Sequence, residues 1–301
     1  MRTLPPILSC CLALFILSCQ SKNASNAPAD PSDTAAVDSD TAAPEADACN
    51  GHPDLCDRRL DDVTFPGTHN SMANADAEWM APNQQHGITQ QLNDGIRSLM
   101  LDTMDWNGEP YLCHGYCELG AQPLSEGLAE VETFLAANPR EVVIIIFQDG
   151  LSTDVMTTAL EESGLAARAW TGADTLPTLG ELIDAGTPLI ITAEHGGPPP
   201  NWYHHAWDWI QDTPYSFSAA EEMNCERLRG TEDNPLFLVN HWLGTPLPTE
   251  TGAMEVNATD VLAQRAQACE EERGQRITIL AVDFYNHGDL FSVVDTLNGV
   301  D

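Results

Sequence analysis

The chain has 301 residues, of which 43% are hydrophobic and 19% are charged. This length and hydrophobic fraction are enough to bury a large core, and they exclude an intrinsically disordered acidic protein. Acidic residues outnumber Lys and Arg by 46 to 12, which gives a net charge of −34. A surface with this charge repels phosphate backbones, so the sequence predicts no binding to nucleic acid.

The first 19 residues have the pattern of an export signal. Arg2 precedes an apolar run from Ile7 to Leu17, and the segment ends at Ser18-Cys19. The run is shorter than the ~20 apolar residues that span a bilayer, so a signal peptide over 1–19 is predicted. The residues Ile-Leu-Ser-Cys resemble a bacterial lipobox, which predicts a lipid on Cys19 after cleavage. The alternative is an ordinary signal peptide with an incidental cysteine.

Residues 20–48 differ in composition from the rest of the chain. They are rich in Ala, Asp, Ser, Thr and Pro and contain no aromatic residue. Such a segment cannot bury enough surface to fold, so it is predicted to be a flexible acidic tether. A single folded domain is then expected over residues 49–301.

Seven apolar runs rich in β-branched residues predict strands after the tether. Two of them, VVIIIF and PLIITA, are apolar throughout, which is typical of parallel strands covered on both faces. The predicted strands are Val63–Phe65, Ser98–Leu101, Pro110–Cys113, Val142–Phe147, Pro188–Ala193, Leu236–Val239 and Ile277–Val282.

Longer stretches with helical periodicity separate most of these runs. The first of them ends at Asn138-Pro139, a common helix stop. Alternation of strands and helices indicates an α/β protein with a parallel sheet, either open or closed into a barrel. The predicted helices are Ser125–Asn138, Thr153–Ser163, His204–Gln211, Asn257–Glu272 and Asp289–Leu297.

Six of the nine cysteines lie after the leader. An even number in an exported domain predicts three disulfides, although six cysteines allow many pairings. A zinc site built from Cys113, His114 and Cys117 is less favoured, because the compartment is oxidising and no second ligand pair has the usual spacing. Proximity in the sequence favours the pairs Cys49–Cys56, Cys113–Cys117 and Cys225–Cys269.

Polar groups able to bind a metal or move a proton follow nearly every predicted strand. In a (β/α)8 barrel the carboxyl ends of the strands converge on one mouth, where active sites lie. An open doubly wound sheet usually has a Gly-rich turn after its first strand, and no GxGxxG or GxxxxGK[ST] segment occurs here. The sequence therefore favours a barrel. The polar groups are His69-Asn70, Asp102, His114, Gln148-Asp149, Glu194-His195, Asn240-His241 and Asp283.

Four segments of the folded part form a recognisable set. They are FPGTHNSMA, ITQQLNDGIRSLMLDTMDWNGEPYLCHGYC, FLAANPREVVIIIFQD and AVDFYNHGD…VDTLNG. Together they resemble the phosphatidylinositol-specific phospholipase C X-domain family, and most closely its secreted plant and microbial phosphodiesterase branch. The similarity runs from about residue 49 to residue 299. It implies a distorted TIM-type (β/α)8 barrel that cleaves a phosphodiester with two histidines.

The resemblance assigns catalytic roles to two histidines. His69 falls on the general base that takes a proton from the attacking hydroxyl of the substrate, and His114 falls on the general acid that protonates the departing oxygen. Imidazole suits both roles because its ordinary pKa lies near neutrality. Asp283 is expected to orient or charge His69; its alternative role is a hydrogen bond to a neighbouring loop. The other seven histidines are expected to be structural, with His241 as the candidate for a substrate contact.

The residues that would balance the negative charge of the phosphate depart from the family's pattern. Metal-dependent members use an Asn after the first His, an ExD pair and a later Glu, whereas metal-independent bacterial members place Arg at the D position. Asn70 and Asp102 match the metal-dependent form, but Met100 and Gln148 occupy the two Glu positions. The resemblance implies calcium or magnesium held weakly by Asn70 and Asp102. In the alternative, Arg97 or a protonated histidine carries the positive charge.

These observations predict an exported phospholipase C-like phosphodiesterase acting on an inositol phospholipid or a related phosphodiester. Two alternatives remain open: a barrel that has lost turnover and binds at the cell surface, or a phosphodiesterase for glycerophosphodiesters or sphingolipids. The expected partners are the phospholipid substrate and, through Cys19, a bacterial membrane. The protein is expected in the cell envelope as a lipoprotein, or secreted, and as a monomer.

Overall fold

The computed structural model describes residues 47–245 and 247–300. Ten strands lie in one sheet within these ranges. They are β1 (Phe65–Thr68), β2 (Ser98–Trp106), β3 (Glu109–Leu112), β4 (Gln122–Pro123), β5 (Val143–Asp149), β6 (Leu189–Ala193), β7 (Tyr203–His205), β8 (Ile210–Asp212), β9 (Leu236–His241) and β10 (Ile279–Val282).

Eight of these strands are parallel and form a TIM-type barrel. Their order is β7-β6-β5-β2-β1-β10-β9-β8, and each neighbouring pair is parallel. Among the described residues β7 and β8 do not pair with each other, so the barrel has a seam there. The remaining two strands, β3 and β4, fold back antiparallel beside β2. The expected distorted barrel is confirmed.

Eight helices connect or flank the strands in the described ranges. None of them is long and apolar enough to cross a membrane. The helices are α1 (Ile88–Asp94), α2 (Leu124–Ala137), α3 (Thr153–Glu162), α4 (Leu179–Asp184), α5 (Ala206–Trp209), α6 (Glu250–Val256), α7 (Thr259–Arg273) and α8 (Leu290–Asn298).

The amino-terminal predictions fall outside these ranges. The signal peptide over 1–19, the lipid on Cys19 and residues 20–46 of the predicted tether are not among the described residues. All three therefore stay predictions from the sequence. Ala48, the last residue of the predicted tether, is described and is buried, and its carbonyl accepts a hydrogen bond from Arg140, so the folded part begins slightly earlier than predicted.

Two predicted elements are wrong. The helix over His204–Gln211 is instead β7, the four-residue α5 and β8, because β7 pairs with β6 and β8 pairs with β9. The first strand begins at Phe65 rather than Val63 and continues through Pro66 and Gly67. Its register with β10, Phe65 opposite Ile279, outweighs the low strand propensity of Pro and Gly.

Helices α1, α4 and α6 were not predicted from periodicity. A local signal for α4 does exist, since Thr178 and Glu181 form a capping box at its start. In that motif each side chain accepts a hydrogen bond from the other residue's backbone N–H, which satisfies two amide groups that the first helical turn leaves unpaired.

Parallel strands with both faces buried explain the continuous apolar runs. Successive side chains of a strand point to opposite faces of the sheet. In β5, Val143, Ile145 and Phe147 pack with the outer helices, whereas Ile144 and Ile146 pack in a second cluster that fills the barrel. Burial of each such side chain stabilises the fold by about 1.5–3 kcal/mol.

All three disulfides predicted from proximity are confirmed. Cys49–Cys56 closes a short loop near the start of the described chain, and Cys113–Cys117 closes the loop after β3. Cys225–Cys269 joins the β8–β9 connection to α7 across 44 residues. The zinc site from Cys113, His114 and Cys117 is therefore wrong, because both sulfurs belong to one disulfide.

We expect the three disulfides to differ in their contribution to stability. Chain-entropy theory gives about 4 kcal/mol for the long Cys225–Cys269 loop and about 2 kcal/mol for the Cys113–Cys117 loop. Paired Cys→Ser variants should therefore lower the Tm most at positions 225 and 269 and least at 113 and 117. Differential scanning calorimetry measures the order, and a reversed order would contradict the prediction.

Candidate active site

The carboxyl end of the barrel gathers the polar residues that follow the strands. Side chains two residues apart on a strand point to the same face of the sheet. A residue two positions after an inner apolar residue is therefore in phase with it and also points into the barrel. Ile146 and Leu238, for example, belong to the inner cluster and are followed in phase by polar residues. Seven strands supply one such side chain each: His69, Asp102, Gln148, Glu194, Asp212, Asn240 and Asp283.

A cavity at this end contains both predicted catalytic histidines. It is mixed in character, with charged, amide, aliphatic and aromatic groups around one opening. Its lining residues are His69, Asn70, Met100, Asp102, His114, Ile146, Gln148, Glu194, Tyr215, Arg229 and Trp242.

His69 is held by β10 and by a loop residue. Its Nδ1 lies 2.9 Å from Oδ1 of Asp283. A carboxylate only accepts, so Nδ1 carries the hydrogen and Nε2 is left as a proton acceptor. The backbone N–H of His69 donates to the carbonyl of Val282 at 3.0 Å, and the Gln84 amide donates to the His69 carbonyl at 2.8 Å. The structure thus pairs His69 with Asp283, as the sequence predicts.

Asn83 connects Asp283 to the residue after His69. Its amide nitrogen lies 3.1 Å from each carboxylate oxygen of Asp283, and its oxygen accepts from the Asn70 amide, also at 3.1 Å. Asn70 has a φ of 45°, in the left-handed region that Asn tolerates better than most residues. Its amide nitrogen is engaged, which leaves its carbonyl oxygen as the group available to a ligand.

His114 lies on the disulfide loop after β3. Its ring centroid is 6.5 Å from that of His69, and its Nε2 is 4.0 Å from Oδ2 of Asp102. The side chain is 52% exposed. Partial desolvation and the nearby charge of His69 lower the pKa of His114 below its ordinary value, with Asp283 opposing them. A lowered pKa makes the protonated ring a better proton donor.

Asp102 is a buried carboxyl group at the base of the cavity. Desolvation raises its pKa to about 7, with a further rise from Glu194, while the charge of His69 acts in the opposite direction. Gln148 lies beside it in register on β5. With its amide group turned towards Asp102, the Gln148 nitrogen donates to both carboxylate oxygens, at 3.0 and 3.2 Å.

Arg229 supplies a permanent positive charge to the cavity wall. Its Nε donates to Asp212 at 2.9 Å, and its Nη1 donates to Glu194 at 2.8 Å. Burial opposes its charge, but hydrogen bonding and attraction to Asp212 and Glu194 outweigh burial and raise its pKa. Among the described lining residues it is the one Lys or Arg. Two carboxylates already share its charge.

The donor set for a divalent cation is small. Of the two predicted ligands, Asn70 offers one neutral oxygen and Asp102 one carboxyl group whose ionisation burial disfavours. The described residues contain no group of three or more His, Cys, Asp or Glu side chains placed to hold a metal. Calcium normally takes six to eight oxygen ligands. These residues do not by themselves form a tight cation site, so a cation there would be held weakly, and we derive no catalytic step through it.

Two other candidate residues lie away from the cavity. Arg97 points to the outer face, where it pairs with Glu141 at 2.7 Å, so it does not supply charge to the cavity. His241 directly follows the inward-pointing Asn240 on β9, so its side chain points to the outer face of the sheet, where it is fully buried. It contacts the Val256 carbonyl and Arg265, and desolvation lowers its pKa to about 3. His241 is structural, which excludes a substrate contact in this arrangement.

Four residues of the site were not assigned a role from the sequence: Asn83, Glu194, Arg229 and Trp242. Glu194 was already among the polar groups named at the strand ends, and Trp242 could have been found by extending the two-residue alternation past the end of β9. Asn83 and Arg229 lie in connections without such a pattern. No local signal identifies them.

Comparison with known proteins finds a matching family and related sequences. A family model described as PI-PLC X 1 matches residues 55–298. A PI-PLC X domain-containing protein of Arabidopsis thaliana is 28% identical over 261 residues, covering 77% of this chain and 61% of the relative. An uncharacterized secreted protein of Arthroderma benhamiae is 30% identical over 280 residues, covering 81% and 62%. The chain spans about three fifths of the length of these two relatives.

Solved structures show the same fold at lower identity. The phosphatidylinositol-specific phospholipase C of Listeria monocytogenes aligns with a TM-score of 0.56 at 18% identity, covering 81% of this chain and 94% of that one. A variant of the corresponding Staphylococcus aureus enzyme aligns with a TM-score of 0.57 at 14% identity, covering 82% and 94%. These alignments support the barrel.

We expect Asp102→Asn to change how stability depends on pH. The pKa of Asp102 is raised on folding, so between pH 4 and pH 7 the unfolded chain binds fewer protons and wild-type stability falls as pH rises. The Asn variant lacks this loss, so its free energy of unfolding should exceed that of wild type by up to about 4 kcal/mol at pH 8.

Urea unfolding in EDTA-containing buffer, from pH 4 to pH 8, measures this difference. Asp174→Asn, at an exposed position, is the matched control. Parallel stability curves for wild type and Asp102→Asn would show that burial does not disfavour the Asp102 charge.

Proposed function

The chain belongs to the PI-PLC X domain family, and from this membership we propose that it is a phospholipase C-like phosphodiesterase with His69 and His114 as general base and general acid. The observation that carries the proposal is the pair of histidines facing one cavity, with centroids 6.5 Å apart. That spacing is compatible with both rings contacting a single phosphodiester.

The base step uses the acceptor nitrogen of His69. Asp283 holds the hydrogen on Nδ1, so Nε2 takes the proton from a hydroxyl of the substrate as that oxygen attacks phosphorus. The resulting imidazolium is stabilised by the buried carboxylate of Asp283. Asn83, hydrogen-bonded to both oxygens of Asp283, keeps that carboxylate in place.

The acid step uses His114. As the bond from phosphorus to the departing oxygen breaks, protonated His114 gives its proton to that oxygen. The reaction leaves His69 protonated and His114 neutral. For the next turnover His69 releases its proton to solvent and His114 takes one up, and the half-exposed position of His114 gives its ring access to solvent protons.

The electrostatic surroundings of the phosphate depend on Asp102. An ionised carboxylate there would repel the phosphodiester, and burial reduces this repulsion by raising the pKa of Asp102 to about 7. Protonated His114 adds positive charge at the same place. A weakly held calcium or magnesium ion at Asn70 and Asp102 is the sequence-based proposal for further compensation.

The remaining features of the proposal concern substrate and location. We propose an inositol phospholipid or a related lipid phosphodiester as substrate, in keeping with the names of the structural neighbours. Export is supported by the signal-like segment 1–19 and by a relative named as a secreted protein. Anchoring to a bacterial membrane through lipidated Cys19, and a monomeric state, are further proposals from the sequence.

We expect His69→Ala and His114→Ala each to lower turnover by about 10²–10⁴-fold, because each variant lacks one proton-transfer group. The double variant should lose far less than the product of the two single losses, since both groups serve one reaction. The assay is release of the head group from a panel of phospholipids. His52→Ala, at the other end of the barrel, is the control. Full activity of either single variant, or an inactive wild type on every lipid, would contradict the proposal.

The cation is tested by titration. Turnover should fall after EDTA treatment and recover only at high calcium or magnesium, because Met100 and Gln148 replace two carboxylate ligands. Asp102→Asn should abolish the response to added metal. Undiminished turnover of rigorously metal-free enzyme, with Asp102→Asn as active as wild type, would show that no cation takes part.

A further inference from the structure

A column of planar side chains crosses the barrel mouth and ends on the general base, where the contact is a close stack. Trp242 lies parallel to His69, with centroids 3.9 Å apart and an interplanar angle of 5°. Tyr215 lies beyond Trp242 at 6.5 Å and 27°. The Arg229 guanidinium follows, 5.0 Å from the Tyr215 ring and 3.9 Å from Trp207 on its other side. The column therefore joins β1 to the β8–β9 connection on another wall of the barrel.

Asp283 and Trp242 restrain His69 in different directions. The hydrogen bond from Nδ1 to Asp283 holds one edge of the ring but permits rotation about that contact. The indole covers one face of the ring and prevents that rotation. Trp242 is itself fixed, since it is only 3% exposed and packs in the inner core cluster. The two contacts together define both the position and the plane of the imidazole.

We propose that Trp242 is a positioning residue for His69, holding the imidazole plane and stabilising the imidazolium that forms when the base takes a proton. The proposal rests on the proposed function of His69. The indole face is the strongest aromatic partner for a cation, and a buried contact is favoured over an exposed one.

This role affects the chemical step more than substrate binding. The favourable interaction between a positive ring and the indole arises only after proton transfer has begun, so it lowers the barrier without tightening the ground-state complex. A ring free to rotate would also spend less time with Nε2 aimed at the substrate hydroxyl. Loss of the stack should therefore lower kcat and leave KM unchanged.

The experiment compares Trp242→Leu and Trp242→Phe with wild type. Trp242→Leu should lower kcat about 3- to 30-fold at unchanged KM, and Trp242→Phe should recover most of that loss because it restores an aromatic face. The second readout is the Hε1 chemical shift of His69 in protein labelled with ¹³C-histidine, assigned with His69→Gln. Indole stacking shifts this resonance upfield, so it should move downfield in Trp242→Phe and further in Trp242→Leu.

Trp170→Leu is the matched control. Trp170 is 7% exposed and packs against another histidine, His204, at 5.3 Å, outside the residues that line the cavity. Both Leu variants should lower the Tm, because each removes a large buried ring. Only Trp242→Leu should lower kcat. Equal effects of the two on kcat, or a Trp242→Leu variant with wild-type kcat, would overturn the proposal.

The chemical shift separates failure of this inference from failure of the proposed function. If wild type cleaves no phospholipid, the phosphodiesterase proposal fails, and the shift of His69 Hε1 still reports whether Trp242 holds the ring. If wild type is active but the His69 resonance is the same in Trp242→Leu, positioning by Trp242 is wrong while the role of His69 stands. Should Trp242→Leu not fold, Trp242→Phe decides by the same resonance.

Discussion

The alternation of side chains along parallel strands is the constraint on which this site depends. Both faces of the sheet are buried, one under the helices and one inside the barrel. The charged and amide groups that point inwards therefore lie at the in-phase positions of the carboxyl ends, beyond the apolar filling. The register between neighbouring strands then decides which of them meet. Asp102 and Gln148 contact each other because they lie opposite one another in the register between β2 and β5.

His69 and His114 are held by different contacts, and the difference suits the roles proposed for them. His69 lies in the barrel wall, where Asp283, itself held by Asn83, and the stacked Trp242 fix the orientation of its ring. His114 lies on a disulfide-closed loop at the end of a hairpin and is half exposed. The base must present one nitrogen accurately to the attacking hydroxyl, and between turnovers the base must lose a proton and the acid must regain one. A rigid base and an accessible acid meet both needs.

Charge is scarce and mostly compensated inside the cavity of this very acidic protein. Arg229 is held by Asp212 and Glu194, so its charge is neutralised by groups of the protein before a ligand enters. Gln148 stands beside Asp102 where relatives with a metal carry a second carboxylate. An amide can donate to the carboxyl group without adding negative charge. The net charge around a bound phosphate therefore depends on whether Asp102 is protonated, is paired with a cation or is ionised.

The sequence by itself determined the features encoded by residues close to one another along the chain. Alternating apolar runs and helical periods indicated a parallel α/β sheet, and the polar groups at the strand ends favoured a barrel. Short separations indicated the disulfides, and the family resemblance of the THN and LCHG segments singled out His69 and His114. Only the tertiary structure decided that Trp242 stacks on His69 and that Arg229 reaches the cavity while Arg97 does not. It also turned His241 into the core and divided the segment 204–211 between two strands. These outcomes depend on register and on contacts between strands far apart in the chain, which no local periodicity encodes.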